Sequence, residues 1–257
     1  MMEEEKEIAV VTGASSGIGK EIAMYLAKLG YEIIAVAREK EKLEQLKKEI
    51  PTKLEIYCVD ISKEEECYTF FNEVKEKNIA ILINNAGFGA FGEFEELSLE
   101  RELSLIKTND IGMHILMKLF LNKMRENKQR SYILNVASLA SFMPGPLMAT
   151  YYASKAYVLR LTQGVEKELR KKDSKVSVSC VCPGPVATNF NEVAGVQFSI
   201  KPLTPAYVAK YAIDQMKKGK TVIIPGMMNK IGRFLTRFVP DSLVAEVCYH
   251  IQKRKKR

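Results

Sequence analysis

The chain has 257 residues, 47% hydrophobic and 27% charged, with a formal charge of +8; this is globular composition, enough for one large α/β domain or two small ones. No apolar run approaches the roughly 20 residues of a membrane span, and the acidic start "MMEEEKEIAVV" lacks the apolar segment of a signal peptide, which predicts a cytoplasmic protein. Five scattered cysteines (Cys58, Cys67, Cys180, Cys182, Cys248) and two histidines (His114, His250) fit neither a disulfide framework nor a metal knuckle, so buried free thiols and no metal are expected.

Strands and helices alternate. "EIAVVTG" is a short apolar strand ending in glycine, and "IGKEIAMYLAKLG" follows at helical spacing (Ile18, Ile22, Leu26, Leu29) until Gly30. "YEIIAVAR" is a second strand, and "EKEKLEQLKKEI" a charged helix stopped by Pro51. Next come "KLEIYCVD" (strand), "KEEECYTFFNEVKEK" (helix) and "IAILINNAG" (strand). A long helix is predicted over about 99–126, then the strand "SYILNVAS", a helix over about 151–171, the strand "KVSVSCVCPG" and, near 221, "TVIIPG". Short apolar strands separated by helices predict a parallel sheet covered on both faces. Right-handed crossovers make it a single doubly wound, Rossmann-type α/β fold. No repeat, low-complexity stretch or Gly/Ser linker divides the chain, which reads as one domain, 1–226, with an extension, 227–257.

"VVTGASSGIGK" (10–20) joins the first strand to the first helix. Gly13 permits a tight exit from the strand, and Gly17 and Gly19 remove side chains where backbone and ligand approach. Free N–H groups and the positive end of the helix dipole then face an anion, and Ser15 and Ser16 can add hydroxyl contacts or cap the helix. The same loop without a ligand is only a glycine-rich turn. Its spacing, Gly-x-x-x-Gly-x-Gly from Gly13 to Gly19 with Thr12 before it, resembles the short-chain dehydrogenase/reductase family, and the extension 227–257 resembles those of its branch of ketoacyl reductases and hydroxysteroid dehydrogenases. The resemblance extends over about 7–225 and implies that 1–226 is a dinucleotide-binding and catalytic domain, with Ile18 in the loop also near the cofactor.

The end of the second strand bears on which dinucleotide. An acid there holds the ribose 2′-hydroxyl of NAD; here Ala37 is followed by Arg38, a permanently charged donor fork suited to a 2′-phosphate. NADP(H) is therefore expected, with Glu39 a solvated acid at the start of the next helix and an ordinary surface arginine the alternative for Arg38. The resemblance implies more contacts. "VDIS" (59–62) matches the family's adenine-contacting segment, giving Asp60 and Ile61. "NNAG" (84–87) matches the segment beside the ribose, giving Asn85, Ala86 and Gly87. "CPGPVATNF" (182–190) matches the segment passing the nicotinamide, giving Pro183, Gly184, Val186 and Thr188.

Reducing a ketone takes a hydride on carbon and a proton on oxygen, hence a positioned acid, a group to orient the carbonyl and a cation to tune the acid. "ATYYASKAYV" (149–158) holds two tyrosines near Lys155. On a helix Tyr151 lies about 40° from Lys155 and Tyr152 about 60° the other way, so geometry leaves both open. An ammonium ion beside either would lower its pKa. The family pattern Tyr-x-x-x-Lys fits Tyr151 and Lys155, with the lysine also holding the nicotinamide ribose. It places a serine thirteen residues before the tyrosine, which is Ser138, with Ser141 off register in the following loop. The family's fourth member, an asparagine supporting a water beside the lysine, matches Asn109 in "KTNDIG"; mid-helix, it suggests a kink or a water site. His114 reads as packing or interface.

The resemblance thus implies an NADP(H)-dependent oxidoreductase that interconverts a carbonyl and a secondary alcohol. A catalytically unused NADP(H) sensor or scaffold of the same fold is the other class. "NEVAGVQFSI" (191–200) is read as a lid, and with Leu139, Phe142, Met143, Pro144 and Met148 it makes an apolar wall for a lipophilic substrate. In 227–251 Ile231, Phe234, Leu235 and Phe238 share one helical face, Lys230, Arg233 and Arg237 lie elsewhere, and Pro240 breaks the run before the basic "QKRKKR". This extension can cover a partner subunit, pack on the pocket, or lie on an anionic membrane. No nucleic-acid partner is expected, and the family's habit implies a homodimer or homotetramer through the two long helices.

Overall fold

The computed structural model describes residues 6–188, 190 and 202–253; the segment read as a lid, 191–200, and residues 254–257 of the basic tail lie outside them. Apolar runs become seven parallel strands: β1 (Ile8–Thr12), β2 (Glu32–Ala37), β3 (Leu54–Cys58), β4 (Ile79–Asn84), β5 (Ser131–Val136), β6 (Val176–Val181) and β7 (Val222–Ile223). Their order is β3-β2-β1-β4-β5-β6-β7. Side chains alternate between two cores, as period two requires. Ala9, Val11, Ile33, Ala35, Ile81 and Ile83 face one, and Ile8, Val10, Ile34, Val36 and Leu82 the other. This is why the strands are apolar without interruption.

The helices cover both faces. They are α1 (Gly17–Lys28), α2 (Lys40–Glu49), α3 (Glu64–Val74), α4 (Leu99–Ile106), α5 (Met113–Met124), α6 (Ala149–Lys171) and α7 (Pro205–Lys217). The stretch predicted over 99–126 is helical from Leu99 to Met124 but not uniform: between α4 and α5 it widens into a π-helical segment, Lys107–Gly112. Asn109 falls inside it. Gly112 ends it where a Cβ would collide with the Ile61 carbonyl oxygen, so a side chain there has no room. The extension forms α8 (Met227–Leu235), a 3-10 turn (Thr236–Phe238) and, past Pro240, α9 (Asp241–Lys253). Four cysteines are buried free thiols as expected, but Cys58, at the end of the edge strand β3, is exposed. Among the described residues no helix is long and apolar enough to cross a membrane.

The strand order reverses between β1 and β4. The carboxyl ends of the strands at such a reversal are the place where open α/β sheets take ligands.

Candidate active site

The loops after β1 and β4 are tied together. Thr12 donates its hydroxyl to Ile83 O (3.2 Å) and accepts from the Asn85 and Ala86 amides (3.0 and 3.1 Å). Asn85 Nδ2 donates back to Thr12 O and Gly13 O (3.0 and 3.1 Å). Gly13 and Gly17 take left-handed φ values of 64° and 55°, which side chains rarely adopt. A Cβ on Gly13 would meet Asn85 Nδ2 at 2.7 Å, and one on Gly19 would collide with Gly13 O. A Cβ on Gly17 would meet the Thr188 methyl at 3.1 Å, so the loop after β6 closes the cradle from the far side. Ser16 caps α1 without a side-chain hydrogen bond, Ser15 is half-buried, and no acid stands in the helix's first turn. The cradle therefore offers amides, hydroxyls and a helix N-terminus, without opposing charge, to an anion. It fits the diphosphate of a dinucleotide, with Ile18 on the first turn.

At the end of β2, Arg38 is exposed and enters no ion pair among the described residues. Glu39 is drawn to Lys42 on α2 at 2.6 Å, leaving Arg38 to set the charge at this corner. Beyond β3, burial pulls the Asp60 carboxyl up, but hydrogen bonds from Ser62 and the Arg38 charge outweigh it and hold it below the usual carboxylate range. Ile61 is buried beneath, with its carbonyl against Gly112.

Ser138, Tyr151, Lys155 and Asn109 converge although three elements carry them: the 3-10 turn after β5, α6 and the π-helical segment. Ser138 caps the 3-10 turn after β5, accepting from the Ala140 amide at 3.2 Å. Burial pushes the Tyr151 phenol up to about 12, against a hydrogen bond with the Ser138 side chain. Ser141 is engaged elsewhere: it is 4% exposed and donates to the Lys155 carbonyl at 2.7 Å. Lys155 Nζ sits 5.9 Å from the Tyr151 ring centre and donates to Val136 O at 3.1 Å. Burial lowers its pKa, and Asp110 opposes that. Gly87 keeps the ammonium open at the carboxyl end of the sheet, since a Cβ there would meet Asn109 Oδ1 at 2.7 Å and Lys155 Nζ at 3.2 Å. Asn109, 1% exposed, binds the Phe88 amide and carbonyl (both 3.0 Å) and Ser154 Oγ (3.1 Å). A buried ammonium with unspent donors beside a backbone free of side chains suits ribose hydroxyls. The lowered phenol expected beside that lysine is not met by the protein groups alone: desolvation dominates.

Tyr152 points away. Its hydroxyl accepts from Gln252 Nε2 at 2.8 Å, and its ring fills the space where Gly145 lacks a Cβ. Tyr151 is buried in an apolar cluster with Ala90, Leu105, Ala140 and Met148, edged by Phe91, Phe190 and the ring of Tyr152. Of the wall residues named from sequence, Met148 lines this cluster, while Phe142 lies under Arg233 at 4.2 Å and Met143 under Cys248 at 3.6 Å. The Pro183 carbonyl accepts from Leu139 at 2.9 Å, a Cβ on Gly184 would meet Asn229 of α8 at 2.7 Å, and Val186 bridges to Leu203.

Two residues escaped the sequence reading. Ser154 links Asn109 to the Tyr151 carbonyl, to which it donates at 2.8 Å; its place one turn after Tyr151 was the available signal. Asp110 has a buried carboxylate oxygen with no hydrogen-bond partner among the described residues, and burial raises its pKa to about 6 against the pull of Lys155. An acid beside a mid-helix asparagine gave no sign of facing inward.

A model of the family described as short chain dehydrogenase matches residues 7–196. An uncharacterized oxidoreductase of Staphylococcus saprophyticus is 34% identical over 223 residues, covering 84% of this chain and 94% of its own. A very-long-chain 3-oxoacyl-CoA reductase of Vanderwaltozyma polyspora is 32% identical over 214 residues, covering 78% of this chain and 61% of that longer relative. Among solved structures, a short-chain dehydrogenase from Sphingobium yanoikuyae in complex with NADPH is 26% identical at a TM-score of 0.79, over 91% of this chain and 96% of that one. A Burkholderia phymatum short chain dehydrogenase/reductase in complex with NAD shares the fold at 23% identity and a TM-score of 0.82, over 91% and 94%.

Proposed function

The chain belongs to the short-chain dehydrogenase family, an oxidoreductase family, and on that footing we propose that it interconverts a carbonyl and a secondary alcohol with NADP(H). The observation that carries the reading is the Ser138 side chain hydrogen-bonded to the buried Tyr151 phenol, with the Lys155 ammonium one helical turn on, beside Gly87 and the glycine cradle. When bound, the nicotinamide supplies the hydride for reduction or accepts it in oxidation.

Ser138 donates a hydrogen bond to the substrate oxygen. Tyr151 gives that oxygen its proton in reduction and takes it back in oxidation. A phenol held up to about 12 is protonated at neutral pH, the state reduction needs. Lys155 stabilises the phenolate left behind and holds the ribose hydroxyls. Asn109 fixes the Phe88 loop against Ser154 and keeps the lysine's surroundings in register. Gly13, Ser15, Ser16, Gly17, Ile18 and Gly19 receive the diphosphate; Asp60 and Ile61 the adenine; Asn85, Ala86 and Gly87 the ribose. Pro183, Gly184, Val186 and Thr188 pass the nicotinamide.

Arg38 supports NADP(H) over NAD(H), because it is an exposed cation at the end of β2 with no ion pair among the described residues, suited to a 2′-phosphate, and Glu39 is held by Lys42. The apolar cluster around Tyr151 supports a lipophilic carbonyl, and the 3-oxoacyl-CoA reductase relative makes an acyl thioester a candidate. Residues 1–226 act as the binding and catalytic unit on this reading. Exposed Leu99, Leu103 and Tyr157 support assembly with a second copy through α4 and α6. An NADPH-oxidation screen of the wild-type protein across 3-ketoacyl thioesters, keto-steroids and small ketones tests the reading. Turnover of at least one lipophilic ketone is expected. Tight NADPH binding with no turnover of any would make the protein a sensor or scaffold.

A further inference from the structure

Ten of the seventeen exposed large apolar side chains among the described residues fall within 227–251. Soluble domains rarely gather apolar surface so tightly without a partner. No residue of α8 is buried, and Phe234 (57%), Leu235 (56%) and Phe238 (72%) stand in solvent. In α9 the stripe Val244, Cys248 and Gln252 turns inward. The neighbouring stripe Leu243, Val247 and Ile251 turns out at the same four-residue spacing.

Charge selects the occupant. The described residues 227–253 carry four Lys/Arg against two Asp/Glu, a net +2, and the sequence continues after α9 with Arg254, Lys255, Lys256 and Arg257. Pairing this face with a second copy of itself would bring two net-positive extensions together, since a two-fold contact uses the same patch on both subunits. An anionic lipid surface complements the charge and takes the apolar side chains below its headgroups.

We propose that α8 and α9 seat the protein on an anionic lipid surface. The same two helices roof the substrate end of the site. Arg233 stacks on Phe142, Cys248 rests on Met143, Gln252 holds Tyr152, and Asn229 presses on Gly184. A docked molecule therefore presents the apolar cluster of Tyr151 toward the bilayer, and a lipophilic carbonyl enters from the lipid phase; this last step rests on the reading given under Proposed function.

Sedimentation of the full chain with vesicles of phosphatidylcholine alone, and of phosphatidylcholine with phosphatidylglycerol, tests the docking without needing turnover. Binding is expected to the anionic vesicles, weakened by salt. The pair Phe234→Ser and Phe238→Ser should lower it at least tenfold, with Tm and NADPH binding unchanged. Wild-type protein left in the supernatant with both vesicle types, or partition indifferent to the pair, overturns the proposal. So does a drop in mass by light scattering from oligomer to monomer in the pair without vesicle binding, since a second copy then covers the face. Vesicle binding without ketone reduction would sink the chemistry and leave the docking standing, and the reverse holds equally.

Discussion

Burial governs the ionisable groups around Tyr151. It pushes the phenol up and pulls Lys155 down, so the protein alone brings both nearer to neutral. Asp110 counts against the second shift, because its charge supports the Lys155 ammonium. Asp110→Asn should therefore move the alkaline limb of the reduction pH profile to lower pH, as Lys155 releases its proton sooner. The stability effect has the opposite sense. An acid whose folded pKa, about 6, exceeds its unfolded value near 3.9 loses stability as pH climbs between the two and stays burdened above. The variant should thus have a higher Tm than wild type at pH 8, with the difference shrinking by pH 4; an unchanged difference would remove the burial argument. The roles of neighbouring residues were partly legible. Tyr-x-x-x-Lys and Ser138 were visible as spacing, and Ser141 could be set aside by register, which its bond to the Lys155 carbonyl now explains. That Tyr152 is held by Gln252, 100 residues away, is long-range packing that no local pattern displays.

At the scale of elements, the strands were legible because each is buried on both faces and so reads as unbroken apolar sequence. The helices between them were legible from their periodicity. The division of 99–126 was not. Asn109 hinted at a distortion, but the π-helical segment exists because the turn must pass the Ile61 carbonyl at Gly112 while Asn109 reaches the Phe88 backbone, and both partners come from other loops. Gly112→Ala should cost roughly 1–3 kcal/mol, since the obstacle is backbone that cannot rotate away. Chemical denaturation measures this, and a neutral effect would mean the two segments are free to separate. Asn109 and Asp110 sit on the same turn, so part of the loss should appear in turnover as well as in stability.

For the molecule as a whole, the strand order and the loops at its reversal place the cradle, the Arg38 corner and the Tyr151 cluster at the carboxyl end of the sheet. The sequence announced the first through its glycines and the second through an arginine where an acid would select NAD. How the extension folds back over Phe142, Met143 and Tyr152 was beyond it: three destinations were open, and contacts across about a hundred residues decided that one side packs while the other remains exposed. Arg38→Ala should raise the Kd for NADPH by roughly 10- to 100-fold, the worth of a charged hydrogen bond to phosphate, and leave NADH nearly unchanged. Equal weakening of both cofactors would return Arg38 to an ordinary surface role.

On the proposed function Tyr151, not Tyr152, carries the proton. Steady-state NADPH oxidation with the best ketone, alongside fluorescence titration of NADPH, compares Tyr151→Phe with Tyr152→Phe. Tyr151→Phe should lose about 10²- to 10⁴-fold in kcat with NADPH affinity nearly intact, and Tyr152→Phe should keep most of its activity. Wild-type turnover in Tyr151→Phe, or a dead Tyr152→Phe beside an active Tyr151→Phe, would contradict the assignment.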